Sequence, residues 1–180
     1  MQDTKRKQLI QDNADKYAQS RDNWIKKNKY FYQDDYSYMR FLVNKNKSIL
    51  DLGCGTGELL KELEPSFGVG VDLSKEMISV AENKYPEFNF IQGDLEDPEV
   101  LSSIEGPFDY IILSDTIGYL EDCEVAFSNL HSLCDSNTRL IISYYSWHWE
   151  PILRFGEKIG LAMPSPGLNW LTSSDAIGFL

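Results

Sequence analysis

The 180-residue sequence contains no run of about 18 apolar residues, so no membrane span is expected. Its N-terminus, MQDTKRKQLIQDNADKY, has no apolar core of the kind a secretory leader needs. Cysteine is scarce. Cys54, Cys123 and Cys134 show neither metal-ligand nor disulfide spacing, and a reduced, cytoplasmic protein is the expectation. Histidine is scarcer still, with His131 and His148 alone, which limits the side chains able to exchange a proton near neutral pH. There is no internal repeat, low-complexity tract or flexible linker. A chain of this length fits one domain with a real core.

Positive charge is also short over most of the chain. The net charge is −11, but residues 1–47 carry 11 Lys+Arg against 6 Asp+Glu, while residues 48–180 carry 6 against 22. An acidic body argues against DNA or RNA as substrate, because phosphate neutralisation dominates that affinity. The basic N-terminal segment reads as a solvated helical surface, with a face towards an anionic acceptor as the alternative.

The stretch that organises the sequence is SILDLGCGTGELL, Ser48 to Leu60. Ser48–Leu52 reads as a buried strand, Gly53, Gly55 and Gly57 as a tight turn, and Glu58 onward as a helix. Strand, glycine turn and helix together form a nucleotide-binding device in which a ligand lies against bare backbone. The dinucleotide pattern G-x-G-x-x-G rests a pyrophosphate on the helix N-terminus. Here the third glycine comes one residue early, and Asp51 and Glu58 flank the turn. Two carboxylates repel a pyrophosphate and suit a ligand carrying positive charge. Cys54 reads as a small residue filling the turn, not as a nucleophile.

Helical spacing marks Leu9, Ile10, Asn13, Ala14, Tyr17 and Ala18, and again Tyr36, Met39, Arg40, Leu42 and Val43. The aromatic cluster between them, Trp24, Tyr30, Phe31 and Tyr32, is expected in the core. Downstream, Phe67–Asp72 reads as a second strand ending in an acid about twenty residues past the glycine turn, where a carboxylate meets ribose hydroxyls in such folds. A helix over Lys75–Lys84 follows, with Ser74 as its cap. Phe88–Asp94 is the third strand, again ending in an acid. Phe108–Leu113 is a strand buried on both faces, and its end, Ser114-Asp115-Thr116, is placed in the crevice beside the first strand. A helix is expected over Glu121–Leu133. Arg139–Ser146 is the fifth strand, running into the aromatic loop Tyr144, Tyr145, Trp147, His148 and Trp149. His148, at the carboxyl end of a strand, is a candidate general base, with a structural histidine as the alternative. His131 reads as structural. Helices are expected over Ile152–Leu161 and from Thr172 to Leu180.

The alternation from residue 48 to 150 implies an α/β doubly wound sheet with the ligand at the strand-order reversal, between strands one and four. DLGCGTG, GVD, QGDL and FDYIILSD, in that order, resemble the class I S-adenosylmethionine (SAM)-dependent methyltransferases. The wider pattern, including YFY, MRFLV, YYSWHWEP and MPSPGLNWL, resembles bacterial methyltransferase domains joined to glycosyltransferases. The resemblance implies a Rossmann-like fold with strand order 3-2-1-4-5, SAM as cofactor and S-adenosylhomocysteine as product. It implies cofactor contacts at Asp51, Gly53, Cys54, Gly55, Gly57, Asp72, Leu73 and Ser114. Asp94 would meet the adenine amino group, and Leu95 would offer backbone to the ring. An N-terminal helical segment, 1–47, would cap the cofactor and help form the acceptor pocket, with Tyr17 and Arg21 in contact; residues 48–180 would form the SAM-binding domain. His148 and Asp115 are the catalytic candidates, and no metal is implied. No N-P-P-Y or D-P-P-Y stands after the fourth strand, so the signature of amino-group DNA methyltransferases is missing.

The acceptor is expected to be a small molecule or glycan, such as a sugar or a lipid-linked or nucleotide sugar. Two alternatives stay open. One is an NAD-dependent oxidoreductase or epimerase, against which the early third glycine, Asp51 and the lack of a Tyr-x-x-x-Lys pair count. The other is a SAM-binding module without catalysis. The family normally has seven strands, and only five are legible. The chain is therefore expected to lack the hairpin of strands six and seven and to be a piece of a longer protein. The fifth strand is expected to be an open edge able to pair with a second copy.

Overall fold

The computed structural model describes residues 4–172 and Gly178. The expected helix from Thr172 to Leu180 lies almost wholly outside the described residues. Three helices come first: α1 (Lys5–Tyr17), α2 (Arg21–Lys27) and α3 (Lys29–Leu42). A five-stranded parallel sheet follows, with strands β1 (Ser48–Leu52), β2 (Phe67–Asp72), β3 (Asn89–Gln92), β4 (Tyr110–Ser114) and β5 (Arg139–Ser143). Their order is β3-β2-β1-β4-β5, as expected for a doubly wound sheet. Helices α4 (Glu58–Leu63), α5 (Lys75–Lys84), α6 (Pro98–Ser102) and α7 (Cys123–Ser128) occupy the crossovers, and α8 (Glu150–Lys158) follows β5.

Each crossover begins where the sequence supplies a local cap. Gly57 opens α4 at φ 79°, a backbone that side chains with a Cβ rarely adopt. Ser74 Oγ accepts from the Met77 amide at the start of α5, Asp97 caps α6 just ahead of Pro98, and Asp122 accepts from the Val125 amide. The last of these starts α7 two residues later than expected. The segment expected as one helix to Leu133 instead ends at Ser128 and resumes as a short 3₁₀ turn, His131–Leu133. Leu130 and Leu133 are still buried.

Alternate strand residues feed two cores. Leu50, Leu52, Val69, Val71, Ile111 and Leu113 face one side with Leu101 and Phe108. Ile49, Tyr110 and Ile112 face the other, where Leu60 and Leu63 of α4 meet Met39 and Val43 from the end of α3. The last turn of α3 is thus part of the sheet's own core. At the outer edge, β5 is less buried, with Leu140 37% exposed. Beyond it one isolated parallel bridge joins Ser146 to Leu171. No sixth strand is present among the described residues, and no helix among them is long and apolar enough to cross a membrane.

The aromatic cluster corrects the sequence reading. Tyr30 is 78% exposed and Phe31 47%, so the cluster is not core. Trp24, Phe31 and Tyr32 instead wall a cavity between the N-terminal helices and the carboxyl ends of the strands.

Candidate active site

The cavity has a volume of about 770 Å³, within the range of small-molecule sites, roughly 300–1,000 Å³. It opens at the strand-order reversal between β1 and β4. Its floor is the turn after β1. Gly53, Gly55 and Gly57 all have positive φ. A Cβ on Gly53 would lie 2.2 Å from Thr116 Oγ1, which itself donates to the Leu52 carbonyl at 2.8 Å. A Cβ on Gly55 would lie 3.0 Å from Arg21 Nε. Glycine is therefore required for the loop to pass between Arg21 and the end of β4.

Asp72 stands at the end of β2 and lines the cavity with Leu73. Its two oxygens accept the Gly55 amide at 2.8 Å and the Ser74 amide at 2.9 Å. Burial pushes its carboxyl up, while those two amides and the Arg21 charge pull it back. Each oxygen keeps an unused lone pair for a ligand hydroxyl. Asp94 is placed the same way after β3. Its Oδ1 accepts the Glu96 amide at 3.0 Å, and its Oδ2 takes a proton donor the sequence reading missed, Lys7 Nζ at 2.5 Å. Lys7 also pairs with Glu96 at 2.8 Å and is 5% exposed. The basic segment is thus not wholly a solvated surface: this lysine is a buried tie between α1 and the loop after β3.

Other contacts hold the N-terminal helices over the cavity. Arg6 donates to the carbonyls of Gly118, Leu120 and Gly167. Asn13 donates to the Pro164 carbonyl at 2.9 Å, and Asp15 accepts from Ser74 Oγ. Lys84 pairs with Asp22 at 2.7 Å and also with Glu58. Thr56 donates to Asp22 at 3.2 Å, joining α2 to the glycine turn.

The opposite wall comes from β4, the loop after β5, and α3. Ser114, Asp115 and Thr116 line it, as the strand-end reading placed them. Asp115 has φ 56°, in the left-handed region that Asp tolerates better than most residues. Burial, reinforced by the charge of Asp35, pushes its carboxyl up to about 6 against the opposing effects of Arg21 and a hydrogen bond from Tyr145. The Phe31 and Tyr145 rings stack 6.0 Å apart. Trp170 lines the same cavity, and its indole Nε1 is buried with no hydrogen-bond partner among the described residues.

The structure therefore gathers Arg21, Gly53, Gly55, Asp72, Leu73, Asp94, Leu95, Ser114 and Asp115 around one cavity. It does not bring Tyr17, Asp51, Cys54, Gly57 or His148 to the lining. Asp51 is 2% exposed beneath the turn, where burial and the Asp72 charge push its carboxyl up to about 7 against Arg21. Cys54 is buried, and burial holds its thiol well above the usual range. His148 also lies outside that lining. It is exposed in a short 3₁₀ turn, stacked on Trp147 and 3.0 Å from Ser146 Oγ, because the chain leaves the sheet edge before reaching it.

The residues fit the expected cofactor. Two strand-end carboxylates with spare lone pairs flank a loop whose backbone is bare, with apolar Leu73 and Leu95 beside them. Among the described residues the cations lining the cavity are Lys7, which is paired with Asp94 and Glu96, and Arg21, which lies in the field of Asp72.

A methyltransferase-domain family model matches residues 24–178. A malonyl-[acyl-carrier protein] O-methyltransferase of Halalkalibacterium halodurans is 30% identical over 142 residues, 72% of this chain and 52% of that protein. Phosphoethanolamine N-methyltransferase 2 of Caenorhabditis elegans is 27% identical over 104 residues, 55% of this chain and 24% of that protein. Among solved structures, a SAM-dependent methyltransferase of Thermotoga maritima superposes with a TM-score of 0.75 at 14% identity, covering 94% of this chain and 78% of that one. The chain spans about half the length of the first two curated relatives it matches.

Proposed function

Since the chain belongs to the class I SAM-dependent methyltransferase family, we propose that it moves the methyl group of SAM to a small-molecule or glycan-type acceptor held in the cavity beside Asp115. One observation carries this reading. The glycine turn, Asp72 and Asp94 share a single cavity with an acceptor-sized wall built from α3, Asp115 and Tyr145. SAM supplies, when bound, an electrophilic methyl on a positively charged sulfur.

The chain's own residues divide the rest of the work. Asp72, already fixed by the Gly55 and Ser74 amides, holds the ribose hydroxyls through its free lone pairs. Asp94, fixed by Lys7 and the Glu96 amide, receives the adenine amino group, with Leu95 against the ring. Arg21 braces Gly55 and balances the charge of Asp72. Helices α1 and α2 shield this half from water, and the aligned walls provide proximity. Asp115, with its carboxyl raised towards 6, takes the acceptor proton. His148 has no part in this reading.

Calorimetry with S-adenosylhomocysteine and with NAD tests it. The expected result is binding of the former and not of NAD, with Asp72→Ala weakening it by roughly ten- to a hundredfold, about 1.5–3 kcal/mol for charge-assisted hydrogen bonds. NAD binding without S-adenosylhomocysteine binding would sink the reading. An unaltered dissociation constant in Asp72→Ala would remove that residue from the site.

A further inference from the structure

We propose that the acceptor is an amine, a small molecule whose ammonium group seats between Asp35 and Asp115 against the rings of Tyr32 and Tyr145. The inference rests on the methyltransferase reading and narrows its acceptor.

The cavity's charges point this way. Among the described residues, the cations that line it are Lys7 and Arg21. Lys7 is held by Asp94 and Glu96, and Arg21 lies near Tyr32 and in the field of Asp72 on the cofactor half, its charge reaching Asp115 without an ion pair. Asp35 and Asp115, on the other half, have no ion-pair partner among the described residues. Both are partly withdrawn from water in a cavity wall. A carboxylate so placed, without an ion-pair partner, is costly, and a bound cation relieves the cost.

The geometry around them suits a cation as well. Tyr145 lies in the electric field of Asp115 and Asp35. Phe31 stacks on Tyr145, and the Phe31 and Tyr32 rings meet edge-on at 5.3 Å. Tyr32 and Tyr145 both line the cavity. Aromatic faces beside carboxylates are the surroundings in which an ammonium gains both ion pairing and cation–π attraction. A phosphate or carboxylate on the acceptor would meet three carboxylates, Asp35, Asp115 and Glu157, against Arg21 as the one cation lining the cavity outside the Lys7 ion pairs among the described residues.

The step balances with the groups present. The ammonium gives one proton to the Asp115 carboxylate, which exposes the nitrogen lone pair. That pair forms the N–C bond to the methyl carbon as the C–S bond breaks, its electrons going to sulfur. A methylammonium and a neutral thioether result, and the proton on Asp115 passes to water.

The test uses calorimetry on the 180-residue protein saturated with S-adenosylhomocysteine. The probes are tyramine, putrescine and glucosamine, each beside its hydroxyl and carboxylate counterparts. At least one amine should bind tenfold or more tightly than both its counterparts. Asp35→Asn should weaken that amine about tenfold while S-adenosylhomocysteine affinity stays within twofold, which shows that the variant is folded. Asp115→Asn, whose side chain tolerates the same left-handed backbone, should weaken the amine similarly and stop methyl transfer. A counterpart binding as tightly as its amine, or no amine binding to protein that holds S-adenosylhomocysteine, overturns the inference. Amine affinity unchanged in both variants does the same. Protein that fails to bind S-adenosylhomocysteine at all refutes the methyltransferase reading, and this one with it.

Discussion

Replacing Lys7 by methionine isolates the buried charge cluster that joins α1 to the sheet. Lys7 Nζ lies 2.5 Å from Asp94 and 2.8 Å from Glu96, and Lys7 and Glu96 are 5% and 3% exposed. Methionine keeps most of the volume and removes the charge. Glu96 would keep the amides of Glu121 and Asp122, at 3.3 and 2.7 Å, but would face Asp94 with no cation between them. Breaking a buried pair on one side costs about 3–5 kcal/mol. The penalty should fall in that range. Urea unfolding of both proteins at pH 7, followed by tryptophan fluorescence, measures the difference. Glu96→Gln in the Lys7→Met background should restore roughly half of it. A penalty below about 1 kcal/mol would refute the reasoning.

Gly53→Ala should cost about 2–5 kcal/mol and lower S-adenosylhomocysteine affinity, since the new Cβ would meet Thr116 Oγ1 at 2.2 Å on a backbone at φ 83°. Thermal unfolding and calorimetry check both; a melting temperature within a degree of the parent would show that the loop yields freely. Asp51→Asn should flatten the stability profile between pH 4 and 7. With its carboxyl pushed up to about 7, the folded protein keeps a proton that the unfolded chain loses near 4. Wild-type stability should accordingly fall as pH rises through that window, by up to about 4 kcal/mol. An identical slope in the variant, in urea melts across the range, would mean that another group carries it.

Much of the fold was legible because local signals agreed with one another. The bounds of β1, β2 and α5 match the expected ones, each marked by an apolar run, a strand-end acid or a serine cap. The cavity residues Asp72, Asp94 and Asp115 follow from the same rule, since ligands meet a doubly wound sheet at its carboxyl edge. What escaped was long-range. Lys7 finds carboxylates 87 and 89 positions away, which a charge count along the chain cannot pair. The sequence points Trp24, Phe31 and Tyr32 to the core because a cavity wall and a core ask for the same side chains. The place of His148 after a strand points it to the crevice, yet the 3₁₀ turn at Trp147–Trp149 leaves it exposed.

Helix α3 couples two demands at different points along its length. Met39, in its last turn, and Val43, just beyond, are locked into the sheet's core at 1% and 3% exposure. Phe31, Tyr32 and Asp35, one to two turns earlier, face the cavity. A mutation at residues 31, 32 or 35 therefore reshapes the cavity wall without touching the buried core contacts, and one at residues 39 or 43 does the reverse. A library randomised at residues 31, 32 and 35 should yield folded proteins of varied selectivity, whereas one at residues 39 and 43 should yield few that fold.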